Sequence, residues 1–106
     1  MFRVFTTKEF NIEFDNLDKS DKQRISKFMR QLKEQPFSGK PLGLPYLREK
    51  KFDGKRMYFL VYKAFMVILA VGISDKKAQQ ATINKILADL DKYKGFIIKE
   101  LSKLKD

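Results

Sequence analysis

The runs MYFLVY (residues 57–62) and FMVILAVG (65–72) are apolar at nearly every position, with only Lys63-Ala64 between them. Both are strand-length and neither alternates, as expected of strands buried on both faces in the middle of a sheet. The short connection makes them antiparallel neighbours, although Lys63-Ala64 lacks the Gly or Asn of a strong turn. Upstream, Tyr46–Phe52 reads as a third strand, joined to Arg56–Tyr62 through Asp53-Gly54, a good hairpin signal. Three antiparallel strands therefore form the centre, and the rest of the chain must cover them.

Arg3–Thr6 alternates and reads as a short first strand. Phe10, Phe14 and Leu17 recur at helical spacing, so a short amphipathic helix follows. Ser20-Asp21-Lys22-Gln23 has the Ser-x-x-Gln form of a capping box and opens a second helix, with Ile25, Phe28, Met29 and Leu32 as its buried stripe. Pro36 ends it, and the two helices form an antiparallel pair joined around Asp18–Ser20. Pro36–Pro45 holds all three prolines and reads as an irregular connection. Ser74 or Asp75 caps a third helix with Ile83, Ile86, Leu87 and Leu90 inside; Gly95 breaks or kinks it before Ile97, Leu101 and Leu104 resume the pattern. The expectation is one α+β domain over residues 1–106: a short N-terminal strand, an antiparallel helical pair on one sheet face, three antiparallel strands and a C-terminal helix. A helical extension covers about 91–106, suited to packing over the sheet, to homo-oligomer formation or to partner contact.

Composition narrows the chemistry. In 106 residues there are 23 Lys+Arg against 13 Asp+Glu, a net charge of +10, so polyanions are attracted to the surface. There is no cysteine and no histidine, which removes disulfides, thiolate catalysis, histidine-based triads and nearly all zinc sites. No metal and no cofactor is expected. No apolar run approaches the ~18 residues that span a bilayer, and the first residues lack a signal-peptide pattern, so a cytoplasmic protein without membrane contact is expected. Chemistry here must use Lys, Arg, Tyr or carboxylates.

Two stretches could carry it. Leu47–Arg56 holds five cations (Arg48, Lys50, Lys51, Lys55, Arg56) and two acids, Glu49 and Asp53. Strand alternation puts Arg48 and Lys50 on one face and Glu49 and Lys51 on the other, and across the turn Arg56 approaches Lys51 or Lys50. Such a cluster holds phosphate oxygens, an arginine bidentately. A charged hairpin edge that blocks unwanted strand pairing has the same composition. In the second stretch, Gly72–Gln80, a strand end meets a helix start beside Lys76 and Lys77. Its free amides and dipole favour an anion, and an ordinary capped first turn looks the same.

Taken in order, Leu47-Arg48-Glu49-Lys50-Lys51, Gly54-x-Arg56-x-Tyr58-Phe59, Val67-Ile68-Leu69 and Gly72-x-Ser74-Asp75-Lys76-Lys77-x-Gln79 resemble the RelE/ParE superfamily of toxin–antitoxin toxins. The HigB-like and addiction module killer protein branches are the most similar. The resemblance covers about Leu42–Leu90. It implies a RelE-like fold and a metal-independent endoribonuclease that cuts mRNA on the ribosome, leaves a 2′,3′-cyclic phosphate and is neutralised by a cognate antitoxin. By the same resemblance Arg56 binds the scissile phosphate, and Lys51, with Lys50, matches the strand of catalytic lysines. Lys76 and Lys77 match the Lys-Lys after the last strand, one of them standing in for the missing proton donor. A lysine base would need neighbouring cations to lower its pKa. Arg48, Lys50 and Lys55 would add to RNA binding, Gln79 would orient a base or backbone, and Tyr58 would stack on a base. Ser74 stands about where many relatives carry an arginine. A gyrase-inhibiting ParE-like toxin and an inactive nucleic-acid- or antitoxin-binding module remain the alternatives.

Overall fold

The computed structural model describes residues 1–104. Its elements are β1 (Arg3–Thr6), α1 (Lys8–Asp15), α2 (Lys19–Leu32), β2 (Lys40–Pro41), β3 (Leu47–Phe52), β4 (Lys55–Tyr62), β5 (Val67–Asp75), α3 (Gln79–Ala88) and α4 (Leu90–Ser102). The strands form one sheet in the order β1-β5-β4-β3-β2. β3, β4 and β5 are the expected antiparallel centre, while β1 runs parallel to β5 at the edge. The architecture is α+β, with two strands outside the three-stranded centre rather than one. The additional strand, β2, comes from the proline-rich connection, where Lys40 and Pro41 pair with Glu49 and Arg48.

Helices cover both faces of the sheet. On one face α1 and α2 bring Phe10, Ile25 and Leu32 onto Phe52, Met57, Phe59 and Ile68. On the other, α3 and α4 bring Ile86, Tyr93 and Ile97 onto Leu47, Leu60, Val67 and Leu69. Double coverage is why the middles of β4 and β5 are apolar at almost every position: their side chains find a helix rather than water. The tail thus packs on the sheet through Tyr93 and Ile97; of the expected extension, residues 105 and 106 lie outside the described part.

Local chemistry explains the turns and corrects several boundaries. Asp53 (φ 46°) and Gly54 (φ 75°) both take left-handed backbone in the β3–β4 hairpin, the conformation that Asp-Gly favours there. Lys63-Ala64 is no two-residue turn. Lys63–Phe65 forms a short 3-10 turn, Met66 follows at φ 54°, and β5 therefore begins at Val67 rather than Phe65. The third helix begins at Gln79, later than expected, because β5 runs on through Ser74 to Asp75. Asp75 Oδ1 accepts from the Ala78 amide at 2.8 Å and closes the intervening turn, whereas Ser74 Oγ is used elsewhere. The helical break falls at Asp89, and Gly95 lies inside α4, whose burial of Tyr93 and Ile97 outweighs the glycine's poor helix propensity.

The cap of α2 is Asp18, not Ser20: Asp18 Oδ1 accepts from the Asp21 amide at 2.8 Å. An Asp18→Ala variant should therefore unfold about 1 kcal/mol more easily. Ser20→Ala should leave the denaturation midpoint unchanged, because Ser20 is exposed within the helix.

Tyr62, at the end of β4, has its phenol pushed up to about 12, first by burial and then by Tyr46 and Tyr93. The folded state thus holds a proton that the unfolded chain releases near pH 10, so stability falls as pH rises from about 10 towards 12. Lys55 shifts up as well, chiefly through its hydrogen bond to Asp21, and its contribution is lost in the same alkaline direction. Thermal melts of wild type and Tyr62→Phe across that range should show a shallower alkaline decline for the variant.

Candidate functional site

The hairpin register sorts the cations. Lys51 pairs with Arg56 across β3–β4, and Arg56 pairs with Ser74 across β4–β5, so these three side chains form a row on the α3 face. One step behind lies a second row, Glu49, Tyr58 and Gly72. Lys76 and Lys77 follow directly in the exposed turn between β5 and α3. Of the two neighbours that alternation left open for Arg56, the register selects Lys51.

Arg56 is only 7 % exposed, and its Nε points inward, 3.7 Å from Glu49 Oε2. Among the described residues the guanidinium makes no hydrogen bond, and Nε alone of its nitrogens is buried without a partner. Its terminal nitrogens keep some contact with solvent, although the side chain as a whole is nearly buried. An arginine whose terminal N–H groups have no protein partner is able to grip two oxygens of a phosphate. Glu49 is fully buried and held in place by Gln79 Nε2, which donates to Oε2 at 3.2 Å from the first turn of α3. Tyr58 donates to Ser74 Oγ at 2.7 Å, and Ser74 in turn donates to the Asp75 carbonyl. Burial pushes the Tyr58 phenol up, and the Ser74 hydrogen bond partly offsets this.

Several expected site residues lie elsewhere. Arg48 donates to the carbonyls of Ser38, Gly39 and Pro45, so its guanidinium ties the β2 loop to β3. Gly39 makes this possible: it sits at φ +86°, and a Cβ there would collide with the Glu49 carbonyl oxygen. Lys50 lies on the α2 face, over the Phe28 ring and 3.5 Å from Gln31 Oε1; burial lowers its pKa. Lys55 is paired with Asp21 at 2.9 Å on that same face. The sheet therefore separates these three from Arg56 and Lys51, and a single surface does not unite them. Tyr58 is fully buried and offers no ring face to a base, which corrects the stacking expectation. Gln79 is engaged with Glu49. Sequence reasoning did not select Glu49 as a site residue. Alternation put it on the Lys51 face, but nothing local signalled its burial beside Arg56.

No family model matches the sequence, and no curated protein is significantly similar to it. Solved structures are more informative. The isolated E. coli RelE toxin superposes with a TM-score of 0.64, covering 81 % of this chain and 99 % of that one at 15 % identity. The chain has the RelE toxin fold. The intact E. coli RelBE toxin–antitoxin complex contains a match with TM-score 0.65 at 16 % identity, covering 71 % of this chain and 96 % of that one. An archaeal RelE–RelB complex from Pyrococcus horikoshii matches with TM-score 0.62 at 19 % identity, covering 71 % of this chain and 94 % of that one. Near-complete coverage of the RelE chains means that the sheet bearing Arg56 belongs to a shared scaffold, and the identities limit the likeness to fold.

Proposed function

We propose that this protein is the toxin of a type II toxin–antitoxin pair and a metal-independent endoribonuclease that cuts mRNA on the ribosome. The observation that carries the reading is Arg56, nearly buried, with a guanidinium that makes no hydrogen bond among the described residues and Lys51 as its cross-strand neighbour. In the reaction the RNA 2′-oxygen bonds to the adjacent phosphorus and the 5′-oxygen leaves, giving a 2′,3′-cyclic phosphate. Charge builds on the phosphorane oxygens, and Arg56 stabilises it. Lys51, as the neutral amine, takes the 2′-hydroxyl proton, and Lys76 or Lys77, as the ammonium, supplies the proton that the leaving 5′-oxygen needs. The RNA path runs over these four residues; Arg48, Lys50 and Lys55 are left to structural roles by their partners. An antitoxin segment that masks this basic surface is the expected protein partner, since a net charge of +10 favours an acidic chain folding onto it.

Inducible expression with mapping of cellular mRNA 5′ ends tests the reading. Growth arrest with new codon-phased cuts is the expected result, and Lys76→Ala/Lys77→Ala should lower cutting by about tenfold or more. Unaltered cutting in that variant would remove the two lysines from the mechanism. Arrest without RNA cuts would favour a gyrase-directed toxin, and no arrest would favour an inactive binding module.

A further inference from the structure

Glu49 has no step in the proposed reaction, yet it is the most deeply buried charge beside Arg56. It is 1 % exposed; Oε2 accepts from Gln79 and lies 3.7 Å from Arg56 Nε, and Oε1 has no hydrogen-bond partner. An incompletely bonded buried carboxylate is costly, and an apolar residue of similar size would pack there at lower cost. We propose that Glu49 is a positioning residue, which turns the Arg56 guanidinium so that its terminal nitrogens face an RNA phosphate, with Gln79 anchoring the carboxylate from α3.

The geometry carries this in two ways. The contact is one-sided: a bidentate Glu–Arg bridge would occupy the guanidinium's second edge, whereas here only Nε faces the acid. The anchor also comes from a different element: Gln79 on α3 and Glu49 on β3 together brace a side chain on β4, so the orientation of Arg56 depends on the packing of three elements. The inference rests on the reading of Arg56 as a phosphate ligand.

The test exploits a conflict of sign. By charge alone, removing a carboxylate strengthens binding to a polyanion. If Glu49 acts through the orientation of Arg56, its removal weakens binding instead. The affinity of the full chain for a single-stranded 2′-O-methyl RNA, which cannot be cleaved, is measured for wild type, Glu49→Ala, Glu49→Gln, Arg56→Ala and the Glu49→Ala/Arg56→Ala double variant, with circular dichroism as the folding control. Glu49→Ala should raise Kd about tenfold, Glu49→Gln should recover it to within about threefold, and Glu49→Ala should add nothing once Arg56 is gone. If Glu49→Ala does not fold, Gln79→Ala takes its place in the same cycle, with an expected rise in Kd of about threefold that vanishes without Arg56. Unchanged or tighter binding by Glu49→Ala overturns the proposal, as does a loss of equal size in the Arg56→Ala background. Cleavage of ordinary RNA abolished in Glu49→Gln, with binding kept, would make Glu49 the proton acceptor and overturn it as well. If Arg56→Ala binds like wild type, the phosphate reading of Arg56 fails instead.

Discussion

Replacing Arg56 with alanine should lower RNA cleavage by about 10²–10³, the effect of deleting one preorganised donor to the developing charge. Growth arrest should disappear while the antitoxin still binds. The variant carries a second cost that the structure makes visible. Glu49 would be left buried with Gln79 as its only partner, and breaking a buried ion pair costs about 3–5 kcal/mol. The value here belongs at the low end of that range, because the 3.7 Å contact is not a hydrogen bond. Loss of activity is therefore informative only beside a melting curve. Arg56→Lys separates the two effects: it keeps a cation near Glu49 and so should fold like wild type. It lacks the planar fork, and cleavage should fall by about tenfold or more. Wild-type cutting by Arg56→Lys would show that the point charge suffices and that the planar fork is not what the reaction uses.

The largest loss of stability is expected from Phe59→Ala. Phe59 is fully buried on β4, the central strand, between Arg48 of β3 and Ala70 of β5, and it belongs to the core under α1 and α2. Truncating a buried phenylalanine costs about 3–5 kcal/mol, because backbone pinned by two neighbouring strands cannot close the cavity. Set against a total of about 5–15 kcal/mol for a typical domain, that brings the fold close to its limit. The melting temperature should drop on the order of 15–30 °C. Phe65→Ala, in the 3-10 turn and 40 % exposed, is the matched control and should change stability by no more than about 0.5 kcal/mol. Equal losses in the two variants would mean that burial is not what distinguishes them.

Much of this was legible in the chain. Unbroken apolar runs marked β4 and β5, because only strands covered on both sides dispense with alternation. Asp53-Gly54 specified the hairpin, since both positions need left-handed backbone. The heptad-like stripe Ile25, Phe28, Met29 and Leu32 marked α2, although its cap was misplaced by two residues because Asp18 and Ser20 are both good capping residues. Phe65 and Gly95 misled for a related reason: apolar character does not say where a strand starts, and a glycine inside a helix is tolerated once its neighbours are buried.

Local pattern thus determined most of the elements, their order and the sign of the surface charge, all of which follow from periodicity, turn chemistry and composition over a few residues. It could not determine which cations share a face with Arg56. That depended on hairpin register, where a shift of one residue exchanges Lys51 for Lys50 and moves the cluster through the sheet. Nor could it show that β2 would form from a proline-rich loop, that β1 would run parallel to β5, or that Glu49 would be buried between Arg56 and a glutamine thirty positions away. Those contacts join residues distant in sequence, and only the assembled sheet with helices on both faces brings them within hydrogen-bonding distance.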